Sequence, residues 1–187
     1  MAIGLIWAFM DNDQQAVNSF LYSVGITAFF GLVMILIGTK SRGDIYLKEA
    51  LVITAFGWVM AGIFGALPFM FERTFSSFSS AFFETVSGLT TTGSTVIIVV
   101  EDQSRALLYW RSLTQWLGGM GIIVLFIAIL PRLGGGARHL FKSEVPGPIT
   151  ESFRPKLKET SSILWKIYFG ITLAEVIVLK LLGMTLY

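Results

Sequence analysis

Four long apolar stretches restrict this chain more than any other feature of its sequence. They cover Ala16–Thr39, Ile45–Phe71, Leu107–Leu130 and Ile163–Leu186. Each exceeds the roughly 20 residues that a helix needs to cross a bilayer, and blocks of this length are too long for the core helices of a soluble domain. Charged residues make up 14% of the chain, whereas a soluble domain carries about 25%. The sequence therefore predicts an all-α membrane protein.

The rest of the composition argues against several classes of function. A net charge of +2 is too small to indicate binding to nucleic acid, and the absence of cysteine excludes disulfides and thiolate chemistry. The single histidine, His139, lies in a basic loop, and no acids accompany it at the spacing of a metal or catalytic site. We therefore expect neither an enzyme nor a covalently bound cofactor.

Between the second and third spans lies a helical segment that is too short to cross a bilayer. Residues Thr74–Ser87 are predicted to form a short helix, and any of the serines at its start can serve as the N-cap. A run of glycine and hydroxyl-bearing residues follows, within Ala81–Ile98 (AFFETVSGLTTTGSTVII). A span, a short helix, such a run and another span form the plan of a pore-loop cation channel, in which backbone carbonyls and threonine hydroxyls replace the water around an ion. Residues 45–131 are therefore predicted to form one pore-loop repeat, with re-entrant residues 74–100.

Five consecutive positions, Thr91–Thr95, align with the potassium-channel pattern Thr-Val-Gly-Tyr-Gly. Gly93 is expected to adopt a left-handed backbone conformation that turns carbonyls towards the ion. A threonine replaces the second glycine of the pattern, and because β-branched residues resist positive φ, fewer well-formed ion sites are expected. The alternative is a serine- and threonine-rich extracellular loop without an ion. The predicted filter residues are Thr90, Thr91, Thr92, Gly93 and Ser94, with potassium held at Thr91, Thr92 and Gly93.

Several residues around the glycine- and hydroxyl-rich stretch have two alternative roles. Glu84 either lends negative potential to the filter or is a buried acid paired behind it, and it supports the filter together with Thr95. Arg111 and Gln115, one helical turn apart, either anchor the outer part of the loop or repel competing cations. Three glycines in the third span provide either close helix packing or a gating hinge, namely Gly118, Gly119 and Gly121.

The placement of lysine and arginine predicts the orientation. Both basic loops, at residues 40–48 and 131–166, lie on one side only if residues 74–100 re-enter instead of crossing. Because basic loops stay in the cytoplasm, the mouth of the pore loop is predicted to face outward. Glu175 and Lys180 within the last span have no assignable role from sequence, although intramembrane charges are commonly functional.

Two longer stretches carry a family resemblance. FFETVSGLTTTGSTV, followed by YWRSLTQWLGGMGIIVLFIAILP, resembles the Trk/Ktr superfamily of potassium transporters, in particular the bacterial Trk membrane subunit, and EVPGPI and KETSSILWKIYFGITLAEVIVL resemble the same subunit. The resemblance implies a multi-pass protein of the bacterial inner (plasma) membrane that transports potassium. It also implies four pore-loop repeats around one pore, a homodimer, and a cytosolic nucleotide-binding regulatory ring as partners besides K⁺ and the lipid bilayer.

This chain holds one complete repeat and parts of others. Residues 1–44 are predicted to form a helix pair whose first helix, Met1–Met10, is incomplete or is a short interfacial start. Residues 132–162 are predicted to be a cytoplasmic basic loop, and 163–187 the first span of a second, incomplete repeat. The three other repeats of a longer subunit are then required partners. The alternative is a non-conducting fragment or structural membrane module.

Overall fold

The computed structural model describes residues 1–39, 47–129 and 157–184, without the side chains of residues 47, 48, 50, 122–129 and 157–161. The described residues form helices and connecting turns, with no strand among them. The helices are α1 (Ala2–Met10), α2 (Gln14–Gly38), α3 (Leu47–Gly65), α4 (Leu67–Phe71), α5 (Phe78–Leu89), α6 (Arg105–Ile129) and α7 (Leu157–Leu181). The predicted all-α class is thus confirmed, whereas the loop at 40–44, most of the basic loop at 132–162, and His139 lie outside the described residues.

Helices α1 and α2 form a hairpin that closes at a tight turn. Asp13 is the N-cap of α2, and its side chain accepts hydrogen bonds from the backbone N–H groups of Gln15 and Ala16. This satisfies two of the free donors at a helix start. The ring of Phe20 occupies the place where a side chain on Gly4 would be, so the glycine allows α1 and α2 to approach closely.

The second predicted span is a helix interrupted near its C-terminal end. Helix α3 ends at Gly65, and α4 resumes at Leu67 with a proline in its first turn. Pro68 has no N–H to continue the α3 hydrogen-bond ladder, which explains the break. The Gly65 carbonyl accepts a hydrogen bond of 3.0 Å from the indole N–H of Trp110 in α6. The interruption therefore fastens the second span to the start of the third.

The buried apolar residues of the described chain gather at one end of the helices. They include Ala16 and Phe20 of α2, Phe69 of α4, and Leu107 of α6, each with an exposed fraction of 0%. The middle and far end of α2 expose large apolar side chains instead, such as Ile35 and Ile37. Such a surface suits lipid or further helices, as expected of a membrane protein.

The polar end of this core holds charged residues from three segments. Arg105 at the start of α6 lies 3.6 Å from Asp11 in the α1–α2 turn. The side-chain amide of Gln15 donates to the backbone carbonyl of Glu72 at 2.9 Å. Burial raises the pKa of the Glu72 carboxyl; a hydrogen bond with Ser104 opposes this shift and the charge of Asp13 adds to it.

Three of the described helices are long and apolar enough to cross a membrane, over Gln14–Gly38, Leu51–Phe71 and Ser162–Leu181. They correspond to the first, second and fourth predicted spans. The third predicted span forms the backbone of α6, whose side chains beyond Gly121 lie outside the description. The chain divides into two compact units, Met1–Gly119 and Met120–Tyr187. The second unit contains α7, which exposes Glu175 and Lys180 among apolar side chains.

Candidate pore loop

Helix α5 is a short amphipathic helix with a serine cap. Its N-cap is Ser77, whose hydroxyl oxygen accepts the backbone N–H of Ser80 at 3.2 Å. With 12 residues, α5 is about 18 Å long, well short of a bilayer core of about 30 Å. It cannot cross the membrane by itself, as the sequence predicted.

Helices α5 and α6 run in the same direction and in close contact. Along α5, Glu84 meets Arg111, then Gly88 meets Thr114, and Leu89 meets Gly118. Residues later in α5 contact residues later in α6, so the two helices are parallel. A Cβ on Gly118 would collide with the backbone carbonyl group of Leu89, and one on Gly88 would collide with the Thr114 hydroxyl. These glycines therefore permit the close contact between α5 and α6.

The end of α5 has the hydrogen bonds of a Schellman motif. The N–H of Thr91 donates to the Gly88 carbonyl, and the N–H of Thr92 donates to the Ser87 carbonyl, both at 2.9 Å. In this motif the residue after the C-cap takes a left-handed conformation and is usually glycine. Here it is Thr91, with φ of +57°. A β-branched residue is strained at positive φ, so the local backbone is held by its surroundings.

After this turn the chain runs back along the helix that it has just left. The Ser87 hydroxyl donates to the Ser94 carbonyl at 2.6 Å. One turn earlier in α5, the Glu84 carboxylate accepts the Thr95 hydroxyl at 2.9 Å and the Val96 N–H at 2.9 Å. Residues further along the return segment therefore contact residues earlier in α5, so the return segment runs antiparallel to the helix. The chain thus leaves as helix α5 and returns as an irregular segment along the same side of that helix.

The tip of this hairpin is open. Residues Thr90–Val96 are exposed, whereas Ile97 is buried again. Among the described residues, the carbonyls of Thr91, Thr92 and Gly93 accept no hydrogen bond. Gly93 has φ of +76°, the left-handed value predicted for it. The tip therefore presents a run of free carbonyls, those of Thr91, Thr92 and Gly93 among them, next to the negative, C-terminal end of α5.

The three threonine hydroxyls at the tip differ in their contacts. The Thr90 hydroxyl donates to the Val86 carbonyl and lies 2.8 Å from the Thr92 hydroxyl, so these two are engaged with the loop itself. The Thr91 hydroxyl has no such partner in the described part of the chain. Of the three, Thr91 is therefore the one whose hydroxyl is available to an ion.

Glu84 and Arg111 form a buried ion pair behind the return segment. The guanidinium Nε of Arg111 lies 2.6 Å from Glu84 Oε1, and the side chains are 21% and 1% exposed. Because the same carboxylate binds Thr95 and Val96, the pair fixes the return segment to both α5 and α6. The charge of Glu84 is thus paired with that of Arg111.

The other predicted site residues lie around this pair. The side-chain nitrogen of Gln115 is 3.9 Å from the position that a Cβ on Gly93 would occupy, so α6 flanks the tip. Gly119 and Gly121 follow in α6 and are half-buried. The predicted residues from Glu84 to Gly118 thus come together, although the roles assigned to them stay predictions. Ser94 differs from the other predicted filter residues because its carbonyl is already engaged by Ser87.

Two features of the loop were missed from the sequence. Ser87 resembles an ordinary polar residue of a short helix in the sequence, but it forms hydrogen bonds with Thr90, Thr92, Gly93 and Ser94. The left-handed conformation of Thr91 had no signal either, because glycine usually marks that position. The one sequence feature that hints at such a loop is the hydroxyl-rich stretch directly after a helix of three turns.

Comparison with known proteins places the chain in a family. The family model described as TrkH, cation transport protein, matches residues 18–185. The chain belongs to the TrkH cation transport family. A Trk system potassium uptake protein, TrkH, of Halomonas elongata is 40% identical over 178 residues, which cover 94% of this chain and 36% of that protein. The TrkH protein of Escherichia coli is 42% identical over 147 residues, covering 78% of this chain and 30% of that protein.

A third relative is another Trk system protein, TrkI. The TrkI potassium uptake protein of Halomonas elongata is 33% identical over 185 residues, which cover 99% of this chain and 37% of that protein. The TrkH-family chain therefore spans about a third of the length of the relatives it matches. The predicted family is confirmed, and at the level of the family so are the membrane location and the class of transport protein instead of enzyme, since the family model is described as a cation transport protein and the matched relatives are bacterial.

Proposed function

We propose that this chain forms one pore-loop repeat of a potassium uptake subunit, and that Thr91, Thr92 and Gly93 provide its share of the ion-binding carbonyls. The observation that carries the proposal is the open tip, where the carbonyls of Thr91, Thr92 and Gly93 are free and Gly93 has a left-handed φ. At membrane depth, free backbone carbonyls are tolerated only beside water, protein or an ion. The names of the relatives, potassium uptake proteins, support potassium as the transported ion.

The proposed subunit is longer than this chain. Carbonyls from one loop can surround only part of an ion, and complete filters use four such loops around an axis. The chain spans about a third of its relatives, which leaves room for three further repeats. A homodimer in the bacterial inner membrane and a cytosolic regulatory ring complete the proposed assembly, on the ground of family resemblance.

Substitution of Gly93 tests the proposal. A Cβ on Gly93 meets no atom closer than 3.9 Å, so Gly93→Ala adds only backbone strain, roughly 1–2 kcal/mol at a left-handed φ. In the full-length subunit, produced in cells that lack other potassium uptake, we expect normal insertion, weaker uptake at low external potassium and relatively more sodium entry.

Gly183 provides the matched control. It has φ of +92° and no atom within 4 Å of an added Cβ, so Gly183→Ala imposes the same kind of strain at a residue that is not part of the loop. Its potassium affinity and preference over sodium should be unchanged. If Gly93→Ala also leaves both quantities unchanged, the loop does not line a filter, and the non-conducting structural module becomes the better interpretation.

A further inference from the structure

We propose that Ser87 is a positioning residue that ends the ion-binding stretch of this loop at Gly93. It does so by holding the Ser94 carbonyl against α5, away from the ion. The inference rests on the proposed function of the loop. It assigns three ion-facing carbonyls to this loop, and it removes Ser94 from the five filter residues that the sequence predicted.

Ser87 binds the loop through both of its oxygens. Its backbone carbonyl accepts the N–H of Thr92 at 2.9 Å and, at 3.4 Å, the N–H of Gly93. Its hydroxyl donates to the Ser94 carbonyl at 2.6 Å. A donor and an acceptor on one residue thus hold both ends of the Thr92–Ser94 segment. Ser87 itself is fixed, because it lies in the last turns of α5 and is 5% exposed.

The contacts divide the loop at a sharp boundary. Before it, the carbonyls of Thr91, Thr92 and Gly93 are free among the described residues. After it, the Ser94 carbonyl binds Ser87, and the Thr95 hydroxyl and Val96 N–H bind Glu84. A carbonyl that accepts a short hydrogen bond from a buried hydroxyl points towards that hydroxyl, so it cannot also face an axis on the other side of the backbone. Ser94 therefore belongs to the anchored segment.

The number of carbonyls matters for selectivity. Discrimination between potassium and sodium depends on the number of coordinating dipoles, on their field and on the size of the cavity. Without the Ser87 hydroxyl, the Ser94 carbonyl loses the donor that holds it against α5. The peptide is then free to rotate towards the ion path, which would add a further carbonyl and move that of Gly93.

Ser87→Ala in the full-length subunit tests the inference. Potassium uptake is measured as a function of external potassium, with and without sodium, in cells that lack other uptake systems. We expect the half-saturating potassium concentration or the potassium-over-sodium preference to change by about five-fold, on the order of one hydrogen bond, with little change in maximal rate per inserted molecule. A change in maximal rate alone would contradict the inference.

Ser23 supplies the matched control. It is also a fully buried helical serine, but its hydroxyl donates at 2.7 Å to the carbonyl of Ser19 in its own helix. Ser23→Ala should leave affinity and selectivity unchanged. If Ser87→Ala fails to insert, Ser87→Cys keeps the size and a weak donor, and it should show a smaller shift in the same direction.

The outcomes separate the two proposals. If Gly93→Ala changes potassium affinity or selectivity and neither Ser87→Ala nor Ser87→Cys changes either, the loop lines a filter but Ser87 does not position it. If neither position affects affinity or selectivity, both proposals are wrong. A shift at Ser87 that is matched by Ser23→Ala would show a general effect of buried serines and would also overturn the inference.

Discussion

Removing the guanidinium of Arg111 should destabilise the fold through the acid that it leaves behind. Glu84 is 1% exposed at its side chain and lies 2.6 Å from Arg111 Nε. Loss of one partner of a buried ion pair costs about 3–5 kcal/mol, because the remaining charge is buried and uncompensated. In Arg111→Met, however, Glu84 keeps the hydrogen bonds from Thr95 and Val96. We therefore expect the lower end of that range, about 3 kcal/mol.

The second single variant and the double variant isolate the pair. Glu84→Gln removes the buried charge and leaves the 21% exposed Arg111 side chain to be solvated, so a smaller cost of about 1.5 kcal/mol is expected, near that of a hydrogen bond to a charged group. The double variant Glu84→Gln/Arg111→Met has no unpaired charge. It should cost about 2 kcal/mol, less than the sum of the single variants, which gives a coupling energy of about 2.5 kcal/mol.

Reversible unfolding of the purified full-length subunit in mixed micelles, followed by circular dichroism during a denaturant titration, measures these free energies. The reasoning depends on the coupling, since any buried substitution can destabilise. If the double variant costs the sum of the single variants to within about 0.5 kcal/mol, the two side chains act independently and the ion pair does not hold the loop.

Two further predictions concern packing and pH. Gly118→Ala places a Cβ against the Leu89 carbonyl group and should lower the melting temperature and the yield of inserted protein, whereas Gly31→Ala, with no atom within 4 Å, should be neutral by the same thermal measurement. Burial raises the pKa of Glu72 above its ordinary value of 4.5, so the fold disfavours the charged form and loses stability as pH rises from 4.5 through the raised pKa. Glu72→Gln should abolish this fall and raise the melting temperature at pH 7; an unchanged pH profile would contradict it.

The parts of this structure that depend on local pattern were predictable from sequence. Hydropathy located α2 and α7, because a helix in lipid must be apolar over most of its length. Serine at the start of α5 and glycine at position 93 were assigned from cap and backbone preferences, and the structure has Ser77 as the N-cap and φ of +76° at Gly93. These are properties of single residues and their immediate neighbours.

The contacts that shape the loop were not predictable in this way. The pairing of Glu84 with Arg111 requires α5 and α6 to be parallel and in register, and that arrangement depends on tertiary packing. The contacts of Ser87 depend on the path of the chain after the helix ends. Thr91 contradicts the local preference for glycine, so a sequence pattern would place the left-handed residue elsewhere. Local conflicts of this kind are expected at functional sites.

The free carbonyls at the tip also bear on how such a protein is made. In the proposed longer subunit, the ribosome completes this loop before the later repeats exist. Each unpaired backbone group costs several kcal/mol in hydrocarbon, so the tip of residues 91–93 cannot enter the lipid ahead of its neighbours. It has to remain hydrated, at the membrane surface or within the insertion machinery, while the outer spans are laid down. Entry of the loop to its final depth is then a late step of biogenesis, driven by the arrival of the helices that close around it.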